Sequence, residues 1–134
     1  MNFLLDTNVC IQLLNGSSTS VAARFRATAP AQVHLCAIVK AELLYGARKS
    51  RRTHANLSHL ARFFGPLSSD PFDDAAAEHY GSIRAELAAA GCVIGANDLC
   101  IAAIARSRDR VLVTHNHCEF SRIVGLRVED WQAS

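Results

Sequence analysis

A chain of 134 residues, half of them hydrophobic and 19% charged, supplies one packed core and excludes a disordered or multi-domain chain. Its formal charge of +2 excludes a strongly basic nucleic-acid binder, but not a local phosphate-contacting patch. No apolar run is long enough to cross a bilayer, so no membrane partner is expected.

The start, MNFLLDTN, has no cationic leader and reaches an acid at residue 6, so a cytoplasmic protein is expected. NFLL, Asn2 to Leu5, reads as a first strand stopped by Asp6. TNVCIQLLNG then has helical spacing, with Asn15-Gly16 as its stop. The serines from Ser17 to Ser20 predict the cap of a second helix over Val21 to Thr28, ended by Pro30. VHLCAIV reads as a second strand that turns into a helix through Ala41, Glu42, Leu43, Leu44 and Tyr45.

Thr53 to Phe64 is amphipathic at helical period and is broken by Gly65-Pro66. A weak strand is expected near Leu67 to Ser69, followed by an Ala-rich helix from Asp73 to about Ala90. Gly91 and Gly95 bracket a short connection into a strong helix, Ala96 to Arg108. Val111 to Thr114 is a β-branched run of the fully buried, parallel-sheet type. After a polar loop, Leu126 to Val128 is expected as a last strand, with Trp131 as a closing anchor.

Strands alternating with helices predict one α/β domain over residues 1–134: a three-layer α/β/α sandwich around a mainly parallel sheet. The five cysteines (Cys10, Cys36, Cys92, Cys100, Cys118) form no CxxC pair and read as buried small hydrophobes, not a disulfide framework.

In such sheets, sites form at the carboxyl ends of the strands. Asp6 ends the first strand, Glu42 lies early in the helix after the second, and Asp98 opens the helix leading to Val111. Each has a plain reading by itself: Asp6 and Asp98 as helix caps, Glu42 as a solvated acid. Together, three carboxylates converging on one sheet edge repel unless a cation joins them. Oxygen ligands of this kind suit Mg²⁺ or Mn²⁺, which activate water and stabilise charge on a phosphodiester.

Four blocks in order, DTNVCIQLL, AELLYG, IGANDLCIAAIA and LVTHNHCEF, make the chain resemble the PIN-domain family, specifically VapC-type toxins. The resemblance runs from Asn2 to Trp131. It implies a PIN-like fold and a site holding Mg²⁺, or Mn²⁺ in its place, through Asp6, Glu42 and Asp98. Thr7, Asn8 and Thr114 are implied as supporting residues. The family's fourth acid is replaced by Asn116, with Glu119 three residues on, and either one completes the catalytic set. The implied activity is endoribonucleolytic hydrolysis of structured RNA, often tRNA, leaving a 5′-phosphate and arresting translation. A VapB-like antitoxin and a homodimer are implied as partners.

Arg48, Lys49, Arg51 and Arg52 read equally as RNA-phosphate contacts or as a solvated helix end, with antitoxin contact as a third reading. His115 and His117 read as loop residues near the substrate path, and Leu44 and Tyr45 as part of a dimer face. Arg106, Arg108 and Arg110 read as cations capping the end of the Asp98 helix. A receiver domain wants an acidic pair at the first strand and a Lys after the fifth, and a phosphoaspartate phosphatase wants Asp-x-Asp; Thr7 and Asn8 break both patterns. A degenerate binding module is the non-enzymatic rival, against which all three acids stand.

Overall fold

The computed structural model describes residues 1–132; the last two residues of the expected domain lie outside the described part. Five strands, β1 (Phe3–Leu5), β2 (Val33–Cys36), β3 (Ser68–Asp70), β4 (Val111–Val113) and β5 (Val128–Glu129), form one sheet in the order β3-β2-β1-β4-β5. Every pairing is parallel, with Leu4 beside both His34 and Leu112. The helices among the described residues are α1 (Thr7–Asn15), α2 (Thr19–Ala27), α3 (Ala37–Lys49), α4 (Thr53–Phe64), α5 (Asp74–Ala89), α6 (Ala96–Ser107) and α7 (His117–Phe120).

Strand order explains the layers. The chain steps outward from β1 to β3, then returns to β4 on the other side of β1. With right-handed crossovers, α1 to α4 cover one face and α5 and α6 the other. Packing of α1 on α2 and α3, of α3 on α4, and of α5 on α6 agrees, and α3 also meets α6. The direction of winding reverses between β1 and β4, which opens a crevice at their carboxyl ends.

Both faces being covered, the central strands are buried and, apart from His34, apolar: Leu4, Leu5, Val33, Leu35, Leu112 and Val113. On α6, Ile101 through Ala105 are all buried, so small alanines bring this helix close to the sheet. The carboxyl end of the chain is fastened by Trp131, which is 1% exposed, meets Phe3 edge-on at 5.4 Å, and donates from Nε1 to Glu129 Oε1 at 3.0 Å.

Three expectations need correction. Ala37, Ile38 and Val39 belong to α3 and not to the second strand; an apolar run carries no period that separates strand from helix. The polar loop after β4 contains the short helix α7. Of the cysteines, Cys10 and Cys36 are buried, Cys92 and Cys100 are half-buried, and Cys118 is exposed. Burial pushes the Cys36 thiol up to about 11 and raises that of Cys10 as well, so both stay protonated and serve packing.

Candidate active site

The carboxyl ends of β1 and β4 carry Asp6 and Thr114, both buried. Asp6 is the N-cap of α1: its Oδ1 accepts from the Val9 amide at 2.9 Å, and Thr114 supplies a side-chain hydrogen bond. Capping and a role in the site are therefore compatible. Burial, with Glu42's charge adding to it, raises the carboxyl of Asp6 above its ordinary value; Thr114, Val9 and the charge of His115 work against the rise.

Glu42 comes from the second turn of α3, where Oε1 accepts the Thr7 hydroxyl at 2.6 Å. That bond ties α3 to the first turn of α1. Asp98 sits in the first turn of α6 but does not cap it; Gly95 does, without a side-chain bond. Burial raises the Asp98 carboxyl, and the charges of Glu119, Asp6 and Glu42 raise it further. The charges of the other three acids thus meet at Asp98, and Glu42 also acts on Asp6. Among the described residues none of them forms an ion pair with Lys or Arg.

Asn116 and Glu119 are not alternatives in space. Asn116 Nδ2 donates to Glu119 Oε2, and the Asn116 amide is held by Thr114 Oγ1 at 3.0 Å. The sequence left open which one accompanies the acids; the fold presents them as a joined pair, the amide setting the carboxylate of Glu119. Asn8 is exposed on the first turn of α1 and His117 is exposed at the start of α7.

Arg48 and Lys49 lie in the last turn of α3, and Arg51 and Arg52 in the turn before α4, all exposed. Six helical residues separate Glu42 from Arg48, ~9 Å along the axis, so these cations are not gathered with the acids. An open groove of 280 Å³ runs from Glu42 past Ile11, Leu14, Leu43 and Leu60.

The chain matches the family model described as PIN domain over residues 3–126. It is 41% identical to the tRNA(fMet)-specific endonuclease VapC of Shigella flexneri, with 98% of each chain covered. It is 37% identical to the ribonuclease VapC2 of Haemophilus influenzae over the same shares. The DNA-bound VapBC structure from Salmonella typhimurium superposes with a TM-score of 0.91 at 40% identity, over 98% of both chains. The chain belongs to the PIN-domain family, among its VapC members.

In this PIN domain the acids do not form a closed ligand set: among the described residues, no three His, Cys, Asp or Glu side chains are drawn together as a ready metal cluster. The fit to a divalent cation rests on donor chemistry. Four carboxylates, two of them with raised pKa and none paired with a Lys or Arg among the described residues, offer only hard oxygen donors, the set that Mg²⁺ prefers.

Two residues of the PIN domain escaped sequence reading. Asp130, just past β5, accepts from the site-edge residue His115, with 3.0 Å between His115 Nδ1 and Asp130 Oδ2. Asp70, at the carboxyl end of β3, accepts from Arg110 Nε at 3.1 Å and Nη2 at 3.3 Å. The signal available for both was an acid at a strand's carboxyl end. Arg106 stands in the last turn of α6 and Arg108 is its C-cap, as expected; their side chains are engaged as well, Arg108 pairing with Asp73 at 3.0 Å and Arg106 donating to His79 Nδ1 and to the Val124 carbonyl.

Proposed function

We propose that the chain, acting as one domain, is the toxin of a VapBC-type pair: a divalent-metal-dependent endoribonuclease that cuts structured RNA, tRNA first among its targets, and so inhibits translation. The observation that carries this reading is Asp98 at the reversal point of the sheet, with the charges of Asp6, Glu42 and Glu119 all acting on it. Its relatives are named as ribonucleases and a tRNA endonuclease, which supports the same substrate class.

Asp6, Asp98 and Glu42 would hold Mg²⁺ or Mn²⁺, with Glu119, steadied by Asn116, adding negative charge at the rim. When bound, such an ion lowers the pKa of a water and offsets the charge that develops on the phosphodiester. The protein's own part is preorganisation. Val9 and Thr114 fix Asp6, Thr7 fixes Glu42, and Thr114 also fixes the backbone of Asn116. Asn8 supports the turn out of β1. Arg48, Lys49, Arg51 and Arg52, with His115 and His117 beside Asn116, are the candidates for RNA contact.

A VapB-like antitoxin is the proposed protein partner, in keeping with the VapBC complexes among the structural relatives. Exposed Ile11, Leu44 and Tyr45 are apolar material for protein contacts, either with an antitoxin or across a homodimer.

The test is cleavage of total bacterial RNA by purified protein with Mg²⁺ or Mn²⁺, with EDTA, and with Asp98→Asn, the products being mapped by end sequencing. A discrete cut that needs both metal and Asp98 is expected. No metal-dependent cut, from protein shown to be folded and free of antitoxin, would overturn the reading in favour of a binding module.

A further inference from the structure

The last strand brings a second polar pair to the rim of the acidic site. β5 lies beside β4, the Thr114 amide donates to the Glu129 carbonyl at 3.0 Å, and so the next residues, His115 and Asp130, face each other across the sheet edge. His115 Nδ1 stands 3.0 Å from Asp130 Oδ2. Asp130 is itself held: its other oxygen accepts from the Gln132 amide at 2.9 Å, and its side chain is only 19% exposed. Gln132 is in turn bonded by Gln12 of α1 and by Ser20 of α2. The carboxylate is thus held by the Gln132 amide, and Gln132 by α1 and α2, while the imidazole that Asp130 holds is 62% exposed.

His115 is also near the acids. Its neighbours in sequence, Thr114 and Asn116, bond Asp6 and Glu119 respectively. A carboxylate accepts hydrogen bonds, so Asp130 puts the ring proton on Nδ1. In the neutral ring, Nε2 is then a lone-pair acceptor at the mouth of a site that otherwise consists of carboxylates. A phosphate oxygen cannot donate to it. A ribose 2′-hydroxyl can, and this is the group that separates RNA from DNA.

Resting on the ribonuclease reading above, we infer that His115 accepts the 2′-hydroxyl of a nucleotide flanking the cut, and that Asp130 is the positioning residue that fixes its tautomer. The pair makes the site selective for ribose at that nucleotide. The acids lack this selectivity, since their ligands and the phosphodiester are common to RNA and DNA.

The test uses the mapped substrate as a synthetic oligonucleotide, all-RNA or with a single 2′-deoxy residue on either side of the cut. For the wild type, one of the two deoxy substitutions should lower kcat/KM about 3–10-fold, the worth of one hydrogen bond. In His115→Ala and in Asp130→Asn the all-RNA rate should fall by a similar factor, and the deoxy penalty should vanish. Asp130→Asn keeps an oxygen for the Gln132 amide, so it preserves the fastening of the chain end. A general loss of structure would lower all rates together and leave the deoxy penalty in place. A wild type that cuts RNA, with a deoxy penalty that persists in both variants or that is absent throughout, overturns the inference alone. A wild type that cuts no RNA with metal overturns the ribonuclease reading and this inference with it.

Discussion

Two groups of acids flank the same sheet and meet opposite fates. Asp70 ends β3 and is gripped by both nitrogens of Arg110, and nearby Asp73 caps α5 while pairing with Arg108. Asp6 ends β1 and, with Glu42, Asp98 and Glu119, has no Lys or Arg ion pair among the described residues. Both Asp6 and Asp70 are buried strand-end aspartates. What differs is the supply of cations: the connection from α6 to β4 delivers Arg108 and Arg110 to the outer group, and nothing comparable reaches the inner one. A paired acid fastens the fold, whereas a set of unpaired acids is the kind of site whose charge a divalent ion, as proposed above, would offset.

The largest expected effect separates the two groups by activity. Asp98→Asn should cut RNA hydrolysis by about 10³-fold, on the order of 4 kcal/mol of transition-state stabilisation. Its melting temperature should not fall, because the substitution removes a charge that burial and three other acids disfavour. Asp6→Asn should behave alike, since an asparagine oxygen still caps α1 at Val9. A kinetic assay beside a thermal melt reads both. Loss of activity only in step with loss of fold would erase the distinction.

The reverse pattern is expected for the outer group. Arg110→Met leaves Asp70 buried at 4% exposure without its bidentate partner and should cost about 3–5 kcal/mol of stability. Adding Asp70→Asn should return a large part of that loss, because no uncompensated charge then remains. Denaturant unfolding of the single and double variants measures the difference. A loss below about 1 kcal/mol in the single variant would mean that the pair carries little.

The inner group was far more legible in the sequence than the outer one. Asp6, Glu42 and Asp98 stand where hydrophobic period places a strand end or a helix start, and that placement depends on local pattern. Glu119 was visible only as an alternative to Asn116, because α7 is a four-residue helix without a period to read. Asp70 fell one residue past the expected strand, and its partner is 40 residues away. Sequence pattern shows Arg110 near the end of α6; only the crossover to the edge strand shows that it reaches Asp70. The same holds for Asp130 and His115, which become neighbours through the β4–β5 pairing.

A smaller effect tests the cation without reference to turnover. Mg²⁺ at about 100 times its dissociation constant should stabilise the fold by ~2.7 kcal/mol through mass action. Asp98→Asn should lose that increment, and Arg110→Met should retain it on its lower baseline. Thermal melts with Mg²⁺ and with EDTA distinguish the cases. An equal Mg²⁺ increment in the wild type and in Asp98→Asn would move the ion away from the inner acids.

The smallest effect is a pair of opposed pH slopes in EDTA. Burial, then neighbouring acid charges, hold Asp6 and Asp98 above the ordinary 3.8. The folded state therefore keeps protons that the unfolded chain has released, and this contribution to stability falls as pH rises from about 3.8 through the carboxylate range. His34 lies beside the outer group, 8% exposed, with neither ring nitrogen hydrogen-bonded. Burial, then Arg110, lowers it below 6.5; Asp70, 3.7 Å away, opposes that, and Arg108 adds to it. Here the unfolded chain binds the extra proton, so stability is lost as pH falls below 6.5. Unfolding free energies between pH 4 and 7.5 should show the first slope flattened in Asp6→Asn/Asp98→Asn and the second flattened in His34→Leu. Two slopes of the same sign would mean that the inner acids are compensated after all, and that the contrast between the groups is one of position and not of charge.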